Sequence, residues 1–234
     1  MTKEEFYLEL EKNRLVLSDL QKNRLHKYFE MLVEKNKVMN LTGITEENEV
    51  YEKHFYDSIL FAFDMDLNDK TLIDVGTGAG FPGLVLAICY PRLKVTLLEP
   101  LAKRCNFLNE VIDELHLENV EVINARAEDL AKTHRGKFNF ATARAVARLN
   151  ILLELSIPLI KVNGIFIALK GKMGYEEVKE SSNALKLLDC KIESTQDVKL
   201  FTDNDDRVNV FVKKIKDTNV KYPRAYSKIK SKPL

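Results

Sequence analysis

Residues 1–66 follow a helical rhythm. Thr2-x-x-Glu5 and Ser18-x-x-Gln21 have the spacing of capping boxes, in which a hydroxyl takes a backbone amide of the first turn and the later side chain reaches back. After Ser18, the residues Leu25, Tyr28, Phe29, Leu32 and Val33 recur at intervals of three and four and mark one apolar face. The turn formers Asn40, Thr42 and Gly43 in "NLTGI" predict the end of that helix. A further helix is predicted over "VYEKHFYDSILFAF", with its aromatic and leucine positions in a core.

From Thr71 the rhythm changes. "TLIDV", "KVTLLE", "VEVINA", "FNFATA" and "GIFIAL" are short apolar runs separated by helical or looped stretches. That is the pattern of parallel βαβ units with both sheet faces covered. "KIESTQDVKL" and "DRVNVFVKKI", on either side of the acidic "FTDND", predict a terminal hairpin. The expectation is an α/β fold of about five parallel strands finished by an antiparallel pair. The chain divides into a helical segment 1–66, a sheet domain 67–215 and a basic tail 216–234, with no internal repeat or long linker.

Composition narrows the class. The 234 residues are 45% hydrophobic and 30% charged, an ordinary globular balance. No apolar run approaches the roughly 20 residues of a membrane span, and "MTKEEFYLELEKNR" is too charged for a signal peptide. Three cysteines and four histidines show neither disulfide nor metal-ligand spacing. A cytoplasmic monomer without a metal is expected. The net charge of +1 conceals an asymmetry, because residues 213–234 carry eight Lys or Arg against Asp217 alone. A basic tail on an acidic body suits a polyanionic partner, and equally a solvated extension.

The loop after "TLIDV" carries the candidate chemistry. Gly76-x-Gly78-x-Gly80 fits an S-adenosylmethionine site, while Gly78-x-Gly80-x-x-Gly83 fits a dinucleotide fingerprint. Both use glycine to bring backbone against a ligand at a helix N-terminus. Pro82 suits the first helical turn, and Gly83 then serves helix packing. Glu99, at the end of the second strand, is placed to accept ribose hydroxyls in either reading. Asp74 and the hairpin discriminate: an anion beside a pyrophosphate is unfavourable, beside a sulfonium it is favourable, and the dinucleotide fold has six parallel strands. The methyl donor is the expected cofactor.

"DVGTGAGFPG", "AKRCNFLNEV", "ARAEDL", "ATARAVARLN" and "GIFIALKG" follow one another as in the bacterial small-subunit (16S) ribosomal RNA guanine-N7 methyltransferases, the glucose-inhibited division protein B family. The resemblance extends to "NLTGI", "HFYDSI" and "KYPRAYSKIKSKPL", and so covers nearly the whole chain. It implies a class I methyltransferase with a Rossmann-like seven-stranded sheet behind an N-terminal helical segment. It also implies cofactor contacts at Gly76, Phe81, Ala127, Glu128 and Arg144, beside the Gly78 and Glu99 already read from the loop and the second strand. Glu128 also reads as an acid favoured by a helix N-terminus, and Arg144 as a structural ion pair. The sequence departs from the family at Lys35, where Trp is usual, at Ser227 and Ile229 in the C-terminal motif, and at Glu99 in place of the more frequent Asp.

The acceptor is read from what is missing. Amino-group methylation usually shows Asp/Asn-Pro-Pro-aromatic after the fourth strand, where this chain has "TARAV", and no cysteine lies there for pyrimidine carbon methylation. Guanine N7 has a free lone pair and needs no base, and no catalytic base is identified; Arg144 is the candidate for positioning. Candidate RNA contacts are Arg144, Arg148, Lys170, Lys172, Tyr222 and Arg224. Tyr222 reads equally as a base-stacking ring or as a pin holding the tail. Removing the tail after Val220 is expected to weaken RNA binding and to spare cofactor affinity. A small-molecule methyltransferase, a cofactor-stabilised ribosome assembly factor and a dinucleotide oxidoreductase are the competing classes.

Overall fold

A computed structural model describes residues 1–202 and 206–234. Seven strands form one sheet in the order β3-β2-β1-β4-β5-β7-β6. They are β1 (Thr71–Val75), β2 (Lys94–Leu98), β3 (Val120–Ile123), β4 (Phe138–Arg144), β5 (Ile160–Lys170), β6 (Cys190–Val198) and β7 (Arg207–Lys214). The first five pair in parallel, and β7 lies antiparallel between β5 and β6. The expected terminal pair is therefore present, while Asp203, Asn204 and Asp205 of its acidic turn lie outside the described residues.

Alternation along the strands splits the core into two layers. Leu72, Leu97 and Ile167 face one layer, their neighbours Ile73, Leu98 and Ala168 the other. The first layer takes in helices α1 (Lys3–Lys12) and α2 (Asp19–Met39), both opened by the predicted capping boxes. Phe6, Leu25, Tyr28 and Leu32 pack there with Leu84 and Val85 of the helix after β1, so the helical segment and the sheet share one core. Asn40 ends α2 in the left-handed conformation at φ 48°.

The following segment is not the regular helix expected. Val50–Tyr56 winds as a π-helix between short α-helical turns at Glu47–Glu49 and Asp57–Ile59. Its widened turns bury Val50, Tyr51 and Phe55, and such turns recur at functional sites.

The second layer holds the tail. Tyr222 and Ile229 are buried in it beside the helix Leu149–Ser156. Arg224 grips the fully buried Glu154 through Nε at 2.8 Å and Nη2 at 2.6 Å, and its amide adds a third bond at 2.9 Å. Arg135 binds the carbonyls of Thr218, Asn219 and Tyr222. The tail is thus fastened to the body, and of the two readings of Tyr222 the pin is the one realised. Replacing Arg224 by Ala strands a buried carboxylate. Urea unfolding of Arg224→Ala should show a loss of about 3–5 kcal/mol, and a loss below about 1 kcal/mol would mean that the pair contributes no more than a surface one.

Candidate active site

The loop Gly76–Phe81 leaves β1 at the carboxyl end of the sheet, where parallel α/β folds bind ligands. Gly76, Gly78 and Gly80 have φ of 70°, 64° and 109°, which side chains resist. Each glycine has a different reason. A Cβ on Gly80 would stand 2.5 Å from Leu84 and 2.7 Å from the Tyr28 hydroxyl, and one on Gly76 would stand 2.9 Å from Val146. On Gly78 a Cβ would meet nothing within 4 Å: it would project into open space. Gly83 is the packing glycine expected, since a Cβ there would stand 2.3 Å from Leu97.

Asp74 does not face that space. It is fully buried, and its carboxylate accepts hydrogen bonds from the Thr77 hydroxyl (2.6 Å), the Gly83 amide (2.9 Å) and the Thr142 hydroxyl (3.0 Å). Burial pushes its carboxyl up, and these bonds pull it back. Its role is to lock the loop onto β4 and the next helix. The sulfonium-facing role expected from sequence is not supported.

Glu99 is the acid on the cavity wall. One oxygen accepts from the Gly78 amide (3.0 Å), the other from the Leu101 amide (2.9 Å), and Arg104 stands 3.8 Å away. A carboxylate has about four acceptor positions, so both oxygens keep capacity for hydroxyls. The cavity of about 500 Å³ is bounded by the glycine loop, Phe81, Glu99, Arg104, Arg144 and His54. A narrower recess of about 100 Å³ continues from it past Gly76, Pro100 and Val146, and is lined by Ala127, Glu128 and Tyr226. A polar chamber with a buried acid, joined to an apolar slot, fits a ribosyl sulfonium with a purine attached. Gly76, Gly78, Phe81, Glu99, Ala127 and Glu128 all border this composite space, as does Arg144.

Tyr226 was not foreseen. It belongs to the tail, where its ring lies under the Arg126 guanidinium (5.2 Å) and closes the slot. The tail therefore lines part of the recess beside the glycine loop, a contact that the sequence pattern did not announce.

Arg144 ends β4 and is held by the helical segment. Its guanidinium donates to the Lys53 carbonyl (3.1 Å), to Asp57 Oδ2 (3.1 Å) and to His54 Nδ1 (3.2 Å), and lies over the Phe81 ring at 4.9 Å. Ala145 follows at φ 56°, a strained value for a residue with a Cβ. His54, which showed no motif spacing, stacks on Phe81 at 4.5 Å. Nδ1 of His54 lies 3.2 Å from both the Arg144 guanidinium, which can only donate, and the Lys53 carbonyl, which can only accept, while Nε2 meets the Thr42 hydroxyl at 2.8 Å. Burial first, and then Arg144, pull the imidazole down to about 3.

Other expected cations serve the protein itself. Lys170 is nearly buried, donating to the Ala147 carbonyl and pairing with Glu177, each at 2.8 Å. Tyr222 is buried and Arg224 is bound to Glu154, so each of these three has its partners within the chain. Arg148 pairs with Glu180 but keeps about half its side chain in solvent, and Lys172 is exposed. At the departures from the family, Lys35 bridges to Glu110, Ser227 is exposed and Ile229 is core.

The comparisons with known proteins agree with this geometry. Residues 21–205 match the family model GidB, rRNA small subunit methyltransferase G. The chain is 47% identical to ribosomal RNA small subunit methyltransferase G of Lactobacillus helveticus over the full length of both, and 46% identical to that of Streptococcus gordonii over the same extent. Among solved structures it is similar to TYW2 of M. jannaschii in complex with AdoMet, with a TM-score of 0.56 and 19% identity, covering 69% of this chain and 76% of that one. A SAM dependent methyltransferase from Aquifex aeolicus gives 0.56 and 17%, covering 78% and 98%. At such identities the structural likeness speaks for the fold.

Two outcomes follow. In Gly78→Val the Cβ enters ligand space and the positive φ strains the loop, so calorimetry should show S-adenosylmethionine binding lost while circular dichroism keeps the folded signal; Tyr226→Ala should weaken binding about tenfold, as loss of a ring contact does. Unchanged affinity in both folded variants would place the cofactor elsewhere. The second concerns acid. Folded His54 titrates near 3 and unfolded histidine near 6.5, so between those values the unfolded chain binds the extra proton. His54 therefore makes stability fall as pH is lowered from about 6.5 toward 3, by up to about 1.4 kcal/mol per pH unit. Denaturant midpoints measured across that range should fall less steeply in His54→Gln.

Proposed function

Because the chain belongs to the small-subunit ribosomal RNA methyltransferase G family, whose cofactor is S-adenosylmethionine, we propose that it methylates N7 of a guanine in small-subunit ribosomal RNA. The reading rests chiefly on the junction at Arg144, where the cofactor cavity meets a second cavity of about 330 Å³ and the two titratable groups beside the partition, His54 and Asp57, are tied to the Arg144 guanidinium. His54 is a very weak base, Asp57 Oδ2 takes two guanidinium groups, and Glu99 takes two backbone amides.

Bound at the glycine loop, S-adenosylmethionine supplies a methyl group already activated on a sulfonium. The residues of the chain have to align the acceptor and exclude water. Glu99 and the Gly76–Phe81 backbone hold the ribose and methionine end, and Ala127, Glu128 and Tyr226 the adenine. Arg144, stacked on Phe81, fixes the partition between donor and acceptor. Guanine N7 loses no proton when it attacks, so engaged acceptors are no handicap. Cys89, Cys105 and Cys190 are buried with thiols pushed up by burial, and none borders either cavity, which speaks against a cysteine nucleophile.

The RNA would meet Arg104 and Lys172 at the cavity rims, Arg148 nearby, and the exposed Lys228, Lys230 and Lys232 of the tail. No helix among the described residues is long and apolar enough to cross a membrane, and a monomer acting in the cytoplasm is the simplest setting for such a substrate. Labelled donor supplied with total ribosomal RNA from a strain lacking the gene, followed by nucleoside mass spectrometry and mapping, tests the assignment. Label on 7-methylguanine of the small subunit is expected, and label on a small molecule alone would overturn it.

The engaged acceptors give a kinetic signature. Single-turnover transfer with RNA and cofactor saturating should be nearly flat from pH 6 to 9, about a pH unit or more from the ordinary carboxylate and lysine ranges. Arg144→Ala should slow it by about 10²-fold through misplacement while the profile stays flat. A steep rise with pH that one substitution abolishes would point to an amino or hydroxyl acceptor.

A further inference from the structure

The second cavity has a chemistry of its own. It adjoins the cofactor cavity through Arg144 and Ala145, and its far side is built from β5, β7 and the helix Gly174–Glu180. Its volume of about 330 Å³ lies at the small end of ligand pockets. Leu169 and Met173 give it apolar surface, while Asp57, Glu177 and Asn209 give it buried or nearly buried polar groups. Resting on the activity proposed above, the geometry points to this cavity as the seat of the target guanine, with Glu177 as the residue that selects guanine.

Chemistry decides which wall reads the base. N7 must face the partition at Arg144, because the methyl group arrives from that side. The N1–H and N2–H₂ donors lie across the purine ring from N7 and need an acceptor on the wall away from the cofactor. One carboxylate oxygen there accepts from the N2 amino group beside N1–H and rejects adenine, whose edge presents an acceptor at N1. Asp57 is too close to the partition, since its Oδ2 is bound to Arg144 and to Arg207. Glu177 touches no part of the cofactor cavity. Its Oε2 is fixed by the Leu149 amide at 2.7 Å and by Lys170 at 2.8 Å, which leaves Oε1, without a hydrogen-bond partner among the described residues, to face the base. The Lys170–Glu177 pair thus orients the selecting carboxylate.

The test uses inosine, which keeps N7 and N1–H and lacks the N2 amino group. Once the methylated guanine has been mapped, full-length small-subunit RNA is ligated with guanine or inosine at that position, and single-turnover rates are compared on RNA and on assembled subunits. The wild-type chain should prefer guanine by about tenfold, the worth of one charge-assisted hydrogen bond. Glu177→Gln and Glu177→Asp should methylate guanine about tenfold more slowly and lose the preference, with cofactor affinity by calorimetry unchanged. A role confined to holding Lys170 and Leu149 would slow both RNAs alike and leave the ratio intact. A folded variant that retains the wild-type ratio overturns the assignment of Glu177, whereas absence of label from any guanine with the wild-type chain overturns the activity itself.

Discussion

The guanidinium of Arg144 is the tie on which the rest of the architecture depends. It closes β4, lies on Phe81 of the glycine loop and is held by the Lys53 carbonyl, His54 and Asp57 of the helical segment. A cation so nearly buried is tolerable only because each of these partners offsets its lost hydration. The requirement fixes how the N-terminal helices sit on the sheet, and Tyr28 donating to the Ala79 carbonyl at 2.6 Å reinforces the same docking. The partition between two cavities is therefore a by-product of the bond that joins segment to sheet.

The tail extends this logic to the other face. Its positive charge in the sequence suggested a surface for polyanions, and its exposed lysines remain suited to one. Its other positions do something else: Tyr222, Arg224 and Ile229 fasten the segment, and Tyr226 walls the recess beside the glycine loop. Tyr222, Arg224 and Tyr226 fall on alternate residues of one short stretch, and Lys228, Lys230 and Lys232 just beyond them are left outward.

Legibility in the sequence followed the range of the interaction. Capping boxes, strand runs and the glycine loop are local patterns, and all appeared where expected. The fate of cations was not readable, because Glu154 lies 70 positions from Arg224 and nothing in "KYPRAY" announces it. Lys170 likewise meets the Ala147 carbonyl and Glu177 only once the chain is folded. Asp74 was misjudged because its hydrogen-bond partners come partly from β4, a strand pairing that spacing alone does not reveal. His54 left no signal: one histidine in an aromatic helix looks like core until Arg144 is placed beside it. Nor did any residue mark the π-helix, whose composition is that of an ordinary α-helix.

That widened segment has a consequence for insertions and deletions. A π-turn accommodates an extra residue relative to an α-helix, and each residue of a helix advances the next side chain by about 100°. Deleting one residue between Val50 and Tyr56 would let the backbone relax into ordinary α-helical geometry. Where the residue lost lies between His54 and Asp57, those two come to stand two positions apart in place of three, about 200° around the helix where about 300° is needed, which withdraws at least one from Arg144. The length of this segment is thus constrained as tightly as its composition, so a deletion here would damage the site even with every contact residue retained.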